Sequence, residues 1–189
     1  MNTKFTVVYD ACVLYPAPLR DLLMHLAVTD LFKAHWTDAI HEEWINALIL
    51  TQGRERSTLE RVKQLMDAHV SDAKVEGYEY LIDTLILPDL DDRHVLAAAI
   101  KCHANAIVTF NLKDFPVAYL RQFDIEVLHP DDFIYAQLDL APALVCKALQ
   151  RQRKSLKNPP KTVQEFLAIL QKQQLVQTVH ALKDFADLI

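Results

Sequence analysis

The segment Leu87–Ala99 (LPDLDDRHVLAAA) places three acids directly before an Ala-rich helical run. Asp89, Asp91 and Asp92 are close enough in sequence to act together at the start of that helix. Acids in this position either cap the helix, because its first N–H groups attract anions, or hold a cation. The segment alone favours capping, and the second role depends on where further carboxylates fall in the fold.

Two further aspartates follow predicted strands. The apolar run Phe5–Tyr9 has the composition of a strand buried on both faces, and it ends on Asp10. A second apolar run, Ile107–Phe110, is followed one turn later by Asp114. Central parallel strands end at the same edge of a sheet, so we expect Asp10 and Asp114 to emerge at one edge.

The sequence places Glu43 and Asp92 less firmly. Glu43 lies on the helix predicted for Asp38–Leu50, at the margin of its apolar stripe, so a suitable rotation turns its carboxylate inward. Its neighbour Glu42 competes for this role, but its side chain lies about 100° around the helix. Asp92 is less constrained by topology, because the start of a helix can lie at either edge of the sheet.

Carboxylates gathered in one pocket repel each other, so a site built from them needs a cation. No Cys or His stands at metal-ligand spacing beside these acids, and all-oxygen ligation indicates Mg²⁺ or Mn²⁺. An ion of this kind orients a water molecule, lowers its pKa and stabilises charge during in-line displacement. The expected chemistry is therefore phosphodiester hydrolysis with one or two ions.

Composition excludes several other classes of enzyme and site. The two glycines, Gly53 and Gly77, cannot form a Walker A loop or a dinucleotide-binding turn. None of the three serines stands in the G-x-S-x-G context of an α/β-hydrolase. Cys12 occupies the position where an aspartyl-phosphate phosphatase needs a second Asp. The three cysteines are odd in number and far apart, which indicates neither a disulfide framework nor a structural zinc site.

Length and charge fit an ordinary globular protein of 189 residues, 51% hydrophobic and 24% charged. The net charge of −5 argues neither for nor against a nucleic-acid partner. No apolar run approaches the roughly 18 residues of a membrane span, and the N-terminus leads straight into the first strand. We therefore expect a cytoplasmic protein without membrane contact.

Strand-like runs alternate with helical patterns up to about Asp131. Besides the two central strands, a weak strand is predicted at Ala34–Thr37 and a third clear strand at Ile125–Leu128. The main helices are predicted at Leu19–Asp30, Asp38–Leu50, Thr58–His69 and Asp92–Ala104. This alternation predicts an α/β fold, with a parallel sheet flanked by helices on both faces.

Beyond Asp131 the pattern is all-helical. Helices are predicted at Pro142–Leu156, Thr162–Leu170 and Gln174–Leu188. We divide the chain into an α/β domain at 1–135 and a helical C-terminal extension at 136–189, which could pack on the same domain.

The extension contains a run of basic residues with no acid among them. The run comprises Lys147, Arg151, Arg153, Lys154 and Lys157, continued by Lys161. Two interpretations stay open, a solvated helix face or contact with an RNA phosphate backbone.

Four segments in order resemble the motifs of the PIN-domain family. They are Val7–Leu14 (VVYDACVL), Glu42–Trp44 (EEW), Asp91–Ala99 (DDRHVLAAA) and Ile107–Phe115 (IVTFNLKDF). The order and context of the acids are similar to the toxin branch of bacterial PIN proteins, related to the VapC-type ribonucleases. The resemblance spans about the first 135 residues, and the helical extension is an addition to the minimal fold.

The resemblance implies a metal-dependent endoribonuclease on a PIN-like parallel sheet, with RNA as substrate. It implies a small antitoxin protein and a second copy of the chain as partners. Four acids match the metal-binding positions, and two polar residues match positions near the site: Asp10, Glu43, Asp92 and Asp114, with Thr109 and Asn111. Ala11 departs from the family pattern, because many relatives carry Thr or Ser there.

Several side chains keep simpler interpretations. His94 could contact substrate but is more often an ordinary surface or core residue, and Trp44 and Phe110 could stack on bases but suit core packing better. Asp89 and Asp91 could support the metal site, cap the helix or belong to a solvated loop. The alternative function is a catalytically weak or inactive PIN-fold module that binds RNA or protein.

Overall fold

The computed structural model describes residues 4–189. A four-stranded sheet lies at its centre in the order β2-β1-β3-β4, and each neighbouring pair of strands is parallel. The strands are β1 (Thr6–Tyr9), β2 (Lys33–His35), β3 (Ala106–Val108) and β4 (Glu126–Leu128). The predicted α/β fold with a parallel sheet is confirmed.

The two central strands are β1 and β3, whose residues are all buried. The register aligns Val7 with Ala34 of β2 on one side and with Ala106 of β3 on the other. A strand covered by helices on both faces requires such a continuous apolar run. The carboxyl ends of β1 and β3 therefore lie side by side at one edge of the sheet.

Helices connect the strands and form the C-terminal part of the chain. Those between the strands are α1 (Ala11–Leu14), α2 (Ala17–Ala27), α3 (Asp38–Gln52), α4 (Arg56–His69), α5 (Glu79–Ile82), α6 (Arg93–Lys101) and α7 (Val117–Leu120). Those after the sheet are α8 (Pro130–Leu140), α9 (Pro142–Ser155), α10 (Val163–Gln171) and α11 (Val176–Leu182). Short 3₁₀ segments lie at Leu112–Asp114, Arg121–Phe123 and Lys183–Leu188.

Local sequence signals set both ends of α3, the helix that carries Glu43. The Oγ1 of Thr37 accepts a hydrogen bond from the backbone N–H of Ile40 at 3.0 Å, which caps the first turn. Gly53 ends the helix with a φ of 61°, a left-handed conformation that costs glycine little. The start and the end of this helix therefore follow from ordinary capping chemistry.

Helices α6 and α11 are shorter than their apolar patterns predict. Helix α6 stops at Lys101 rather than Ala104, because His103 adopts a φ of 54°. In the last predicted helix, Gln174 has a φ of 64° and α11 covers only Val176–Leu182 before a 3₁₀ segment. A left-handed residue cannot continue a right-handed helix, and periodicity does not reveal where one occurs.

The C-terminal helices pack on the first part of the chain. Helix α9 lies against α2, where the Nε2 of Gln152 donates to the backbone oxygen of Pro18 at 2.9 Å. Helix α8 spans residue 135, the position where the sequence was divided, and it packs against both α9 and α11.

A buried carboxylate attaches α11 to α8. Asp131 is 7% exposed, and its two oxygens accept from the backbone N–H groups of Gln177 at 2.8 Å and Thr178 at 2.9 Å. These N–H groups belong to the first turn of α11, which has no partner for them within the helix. Asp131 thus caps a helix that begins more than forty residues later.

None of the helices within residues 4–189 is both long enough and apolar enough to cross a membrane.

Candidate metal and active site

Asp10 lies at the carboxyl edge of the sheet, directly after β1. Its backbone N–H donates to the carbonyl oxygen of Val108 at 3.1 Å, which extends the pairing of β1 with β3 by one residue. Its Oδ2 accepts a hydrogen bond from the Oγ1 of Thr109 at 2.6 Å. Both residues are buried, with Asp10 only 3% exposed. The carboxylate is therefore held at the junction of the two central strands.

Cys12 contacts Asp10, a relationship that the sequence did not indicate. Its Sγ lies 3.1 Å from the Oδ2 of Asp10 and accepts a hydrogen bond from the backbone N–H of Phe110 at 3.3 Å. Burial, reinforced by the charge of Asp10, raises the pKa of the Cys12 thiol to about 12. The thiol stays protonated at neutral pH and donates to the carboxylate. Its position two residues after a strand-ending acid is the signal that could have revealed it.

Asp92 immediately precedes α6. Its side chain accepts no capping hydrogen bond. Desolvation by burial is the main cause that raises its pKa to about 7, and the charges of four neighbouring acids act in the same direction: Asp10, Asp89, Asp114 and Glu43. The capping role that the segment alone favours is therefore not the one Asp92 performs. The four acids selected from the sequence share one electrostatic environment, and Asp89 contributes to it.

Glu43 faces α6, whereas Glu42 does not. The Oε1 of Glu43 lies 2.6 Å from the Nε2 of His94, in the first turn of α6. Glu42 instead forms an exposed ion pair with Arg56 at 3.2 Å. Glu43 is thus the one of the two acids that approaches α6, where it meets His94, a residue whose sequence suggested an ordinary role.

Asp114 ends the 3₁₀ segment that follows β3. Its backbone N–H donates to the carbonyl oxygen of Asn111 at 3.0 Å, and the N–H of Asn111 donates to the Oγ1 of Thr109 at 2.9 Å. The Thr109 hydroxyl therefore links Asp10 to the turn that carries Asp114. Asn111 contributes its backbone to this turn, and its side chain is exposed.

The donor set consists of carboxylate oxygens, the ligands that Mg²⁺ and Mn²⁺ prefer. Within residues 4–189, no three His, Cys, Asp or Glu side chains are gathered closely enough to hold a metal ion as they stand. Burial is the largest cause of the raised pKa of Asp92, and the charges of four neighbouring acids add to it, so negative charge is gathered around this side chain. A divalent cation fits this chemistry, since it would neutralise that charge, and Glu43 is 42% exposed at its side chain and has room to turn.

Trp44 and Phe110 contribute to packing. Trp44 is 1% exposed, and its indole N–H donates to the Nδ1 of His41 at 3.0 Å. Phe110 is half-buried and packs edge-on against His129, with ring centroids 5.2 Å apart. Trp44 is thus closed to a nucleic-acid base.

The basic run divides into two groups in the structure. Arg153 donates to the carbonyl oxygens of Lys161 at 2.8 Å and of Ile189 at 3.1 Å, so it holds the end of the chain against α9. The remaining four side chains are exposed: Lys147, Arg151, Lys154 and Lys157. The first three recur at intervals of four and three residues, which places them along one face of α9. We call these four residues the basic stripe.

An apolar groove of about 570 Å³ lies away from the acids. Residues of α2, α4 and the C-terminal helices line it, including Met24, Leu65 and Phe166. None of the four candidate acids borders this groove, so it is not part of the carboxylate site.

Comparison with known proteins gives two family matches and a curated relative. A family model described as "PIN domain" matches residues 6–113, which include Asp10, Glu43 and Asp92, and one described as "VapC50 C-terminal domain" matches residues 130–184. The relative is "Putative ribonuclease VapC50" of Mycobacterium tuberculosis (strain ATCC 25618 / H37Rv), 43% identical over 82 residues. That alignment covers 43% of this chain and 48% of the relative, so the chain spans about half the length of the curated protein it matches. The search of solved structures gave no match.

Proposed function

This chain belongs to the PIN domain family, and we propose that it is a metal-dependent endoribonuclease that hydrolyses RNA phosphodiester bonds. The observation that carries the proposal is the environment of Asp92, where burial and then the charges of neighbouring acids raise its pKa to about 7; those acids are Asp10, Asp89, Asp114 and Glu43. Acids so placed favour a bound Mg²⁺ or Mn²⁺. The curated relative's name, which contains the word ribonuclease, supports RNA as the substrate.

The four acids would hold the cation from different elements of the fold. Asp10 would be the best-anchored ligand, because Thr109 and Cys12 both donate to its Oδ2 and neither occupies Oδ1. Asp92 and Asp114 would supply further carboxylate oxygens from the start of α6 and the end of the 3₁₀ segment, and Glu43 would supply one from α3. A bound divalent ion would lower the pKa of the attacking water and offset charge on the phosphate.

The test compares the wild type with the variants Asp10→Asn and Asp92→Asn on labelled single-stranded RNA, in Mn²⁺ and in EDTA. We expect cleavage by the wild type in Mn²⁺ only and a loss of at least about 100-fold in each variant, because each removes a charged ligand. Asp132→Asn, an exposed acid on α8, is the matched control and should cleave normally.

Two outcomes would overturn the proposal. Cleavage that persists in EDTA would exclude a metal-dependent mechanism, and cleavage by both variants at the wild-type rate would exclude the carboxylate site. RNA binding without cleavage, together with no Mn²⁺ binding by calorimetry, would favour the inactive binding module. The inactive binding module is tested because no three acids lie at ligand distance from one another within residues 4–189.

We also propose that the basic stripe contacts the RNA backbone. No acid occurs between positions 140 and 164, so the four exposed cations are not neutralised within their own segment. The bond from Gln152 to Pro18 places the end of α9 beside the start of α2, the helix that follows Asp10 and α1. A strand of RNA that reaches the carboxyl edge of the sheet could therefore meet Lys154 and Lys157.

Salt dependence tests the role of the basic stripe. In an Asp10→Asn background, changing Lys147, Arg151 and Lys154 to Gln should weaken RNA binding and reduce the slope of log K against log salt by about 0.7 for each phosphate that is no longer neutralised. Lys172→Gln with Lys183→Gln removes two exposed positive charges outside the basic stripe and is the control. An unchanged slope in the triple variant would mean that the basic stripe is only a solvated face.

We infer that the protein is the toxin of a toxin–antitoxin pair, with a small antitoxin as partner and a second copy of the chain in a homodimer. The family match to the VapC50 C-terminal domain supports the toxin role. Induced expression of the wild type should arrest bacterial growth, whereas expression of Asp10→Asn should not. Growth arrest by both proteins would mean that the toxicity does not depend on the proposed RNA cleavage.

A further inference from the structure

His94 connects the two helices that carry Glu43 and Asp92. Its backbone lies in the first turn of α6, two residues after Asp92, and its Nε2 reaches the Oε1 of Glu43 on α3 at 2.6 Å. The His94 side chain is 12% exposed, whereas that of Glu43 is 42% exposed. The imidazole is therefore fixed by packing, and it restrains a carboxylate that is otherwise largely in solvent.

The surroundings of the ring assign its proton. The Nδ1 of His94 is buried and has no hydrogen-bond partner in the described part of the chain. A carboxylate oxygen accepts hydrogen bonds, so the ring nitrogen of His94 that faces Oε1 of Glu43 carries the proton in this contact. The Nε2–H group of His94 therefore donates to Glu43.

This hydrogen bond uses one oxygen of Glu43 and leaves the other available. Within residues 4–189, His94 is the one side chain that hydrogen-bonds to the Glu43 carboxylate, and it does so at Oε1. Asp92 immediately precedes α6, and the contact with His94 holds Glu43 against the first turn of the same helix, so the two carboxylates lie at the same helix end. Like charges favour conformations of Glu43 that point away from Asp92, and a donor fixed on α6 opposes that tendency.

We propose that His94 is a positioning residue that holds Glu43 within reach of the cation bound at Asp92. It acts through Glu43 and does not touch the cation or the substrate. Hydrogen-bonding partners of this kind orient carboxylate ligands, and losing one typically weakens metal affinity by about 10- to 100-fold. The inference rests on the proposed metal-dependent function and adds a residue to its site.

The experiment measures Mn²⁺ affinity by calorimetry at constant pH, without any RNA. His94→Phe fills a similar volume but removes the donor, and we expect it to bind Mn²⁺ about 10-fold more weakly than the wild type. His94→Gln retains an N–H donor and should remain within about 3-fold of the wild type. His69→Phe, an exposed histidine at the end of α4, is the control and should bind normally.

A double-mutant cycle separates positioning from a general structural effect. If His94 acts through Glu43, then Glu43→Ala should remove most of the effect of His94→Phe, and the double variant should bind Mn²⁺ like Glu43→Ala alone. Thermal unfolding in EDTA should be similar for the wild type and His94→Gln, which shows that the conservative variant is folded.

The outcomes distinguish this inference from the proposed function. Failure of the wild type to bind Mn²⁺ would overturn the proposed function, and the inference with it. Normal Mn²⁺ binding by His94→Phe, or additive effects in the double-mutant cycle, would overturn only the role of His94. Binding by His94→Gln that is as weak as that of His94→Phe would also overturn it, because the hydrogen bond would not be the cause.

Discussion

The pKa of Asp92 depends on its burial and on the charged side chains around it. Burial is the largest cause of its raised pKa, and the acids from other elements of the fold add to it. Asp10 is more deeply buried than Asp92, yet it is stabilised by donors from Thr109 and Cys12. The two acids therefore have different local environments. Hydrogen-bond donors stabilise the carboxylate of Asp10, whereas burial and like charges destabilise that of Asp92.

The pH dependence of unfolding tests the environment of Asp92. In the folded state its pKa is about 7, compared with an ordinary value of 3.8, so folding favours the protonated form. The contribution of Asp92 to the free energy of unfolding of the metal-free protein should be most favourable below about pH 4. It should be lost as the pH rises towards and through 7. Asp92→Asn removes the charge, and we expect it to raise the free energy of unfolding in EDTA at pH 8 by about 1 kcal/mol, after allowance for solvent screening.

Urea denaturation measures the free energy of unfolding of Asp92→Asn and of its control. Asp91→Asn changes an exposed neighbour and should leave the stability at pH 8 nearly unchanged. The gain from Asp92→Asn should disappear near pH 4. A gain of equal size at both pH values would show that charge at position 92 is not its cause.

At the scale of elements, the orientation of α3 decides whether Glu43 can reach α6. A buried network fixes that orientation: the Oδ1 of Asp67 on α4 accepts from the Nε1 of Trp36 at 2.7 Å and from the Nε2 of His41 at 3.0 Å. The Nδ1 of His41 in turn accepts from Trp44, so its Nε2 carries the proton. Burial lowers the pKa of His41, which keeps the ring neutral in this arrangement.

Removing the acceptor at the centre of this network should destabilise the fold. Asp67→Ala leaves the N–H groups of Trp36 and His41 without their partner, and both of those side chains are fully buried. We expect the free energy of unfolding to fall by about 2–4 kcal/mol, measured by urea denaturation. Asp67→Asn keeps an oxygen that can accept from both groups and should lose less than half as much. Equal losses would mean that the hydrogen bonds contribute little.

At the scale of the whole molecule, the C-terminal helices are attached through buried polar contacts as well as through apolar packing. Asp131 caps α11, Gln152 binds the start of α2, and Arg153 holds the chain end. The same extension carries the basic stripe, while the chain as a whole has a net charge of −5. Charge is therefore distributed unevenly over the molecule, with acids at the sheet edge and the basic stripe on α9 and just after it.

The attachment of α11 can be tested at Asp131. Asp131→Ala removes the acceptor for two backbone N–H groups in the first turn of α11, and we expect a loss of about 2–3 kcal/mol in unfolding free energy. Hydrogen exchange should accelerate first within Val176–Leu182. Asp132→Ala is the matched control, because Asp132 is exposed and makes only a 3.4 Å contact with the Gln177 side chain. Unchanged exchange in α11 of Asp131→Ala would contradict the capping role.

The sequence by itself determined the strands, their parallel arrangement and the placement of Asp10 and Asp114 at one edge. These features follow from local apolar runs and from the rule that crossovers in a parallel sheet return each strand in the same direction. The tertiary structure decided the features that depend on how elements pack: the contact of His94 with Glu43, 51 residues away, the thiol of Cys12 on Asp10, and the use of Arg153 inside the fold. The rotation of one helix against another is set by the whole core, and residue spacing within a single element does not encode it.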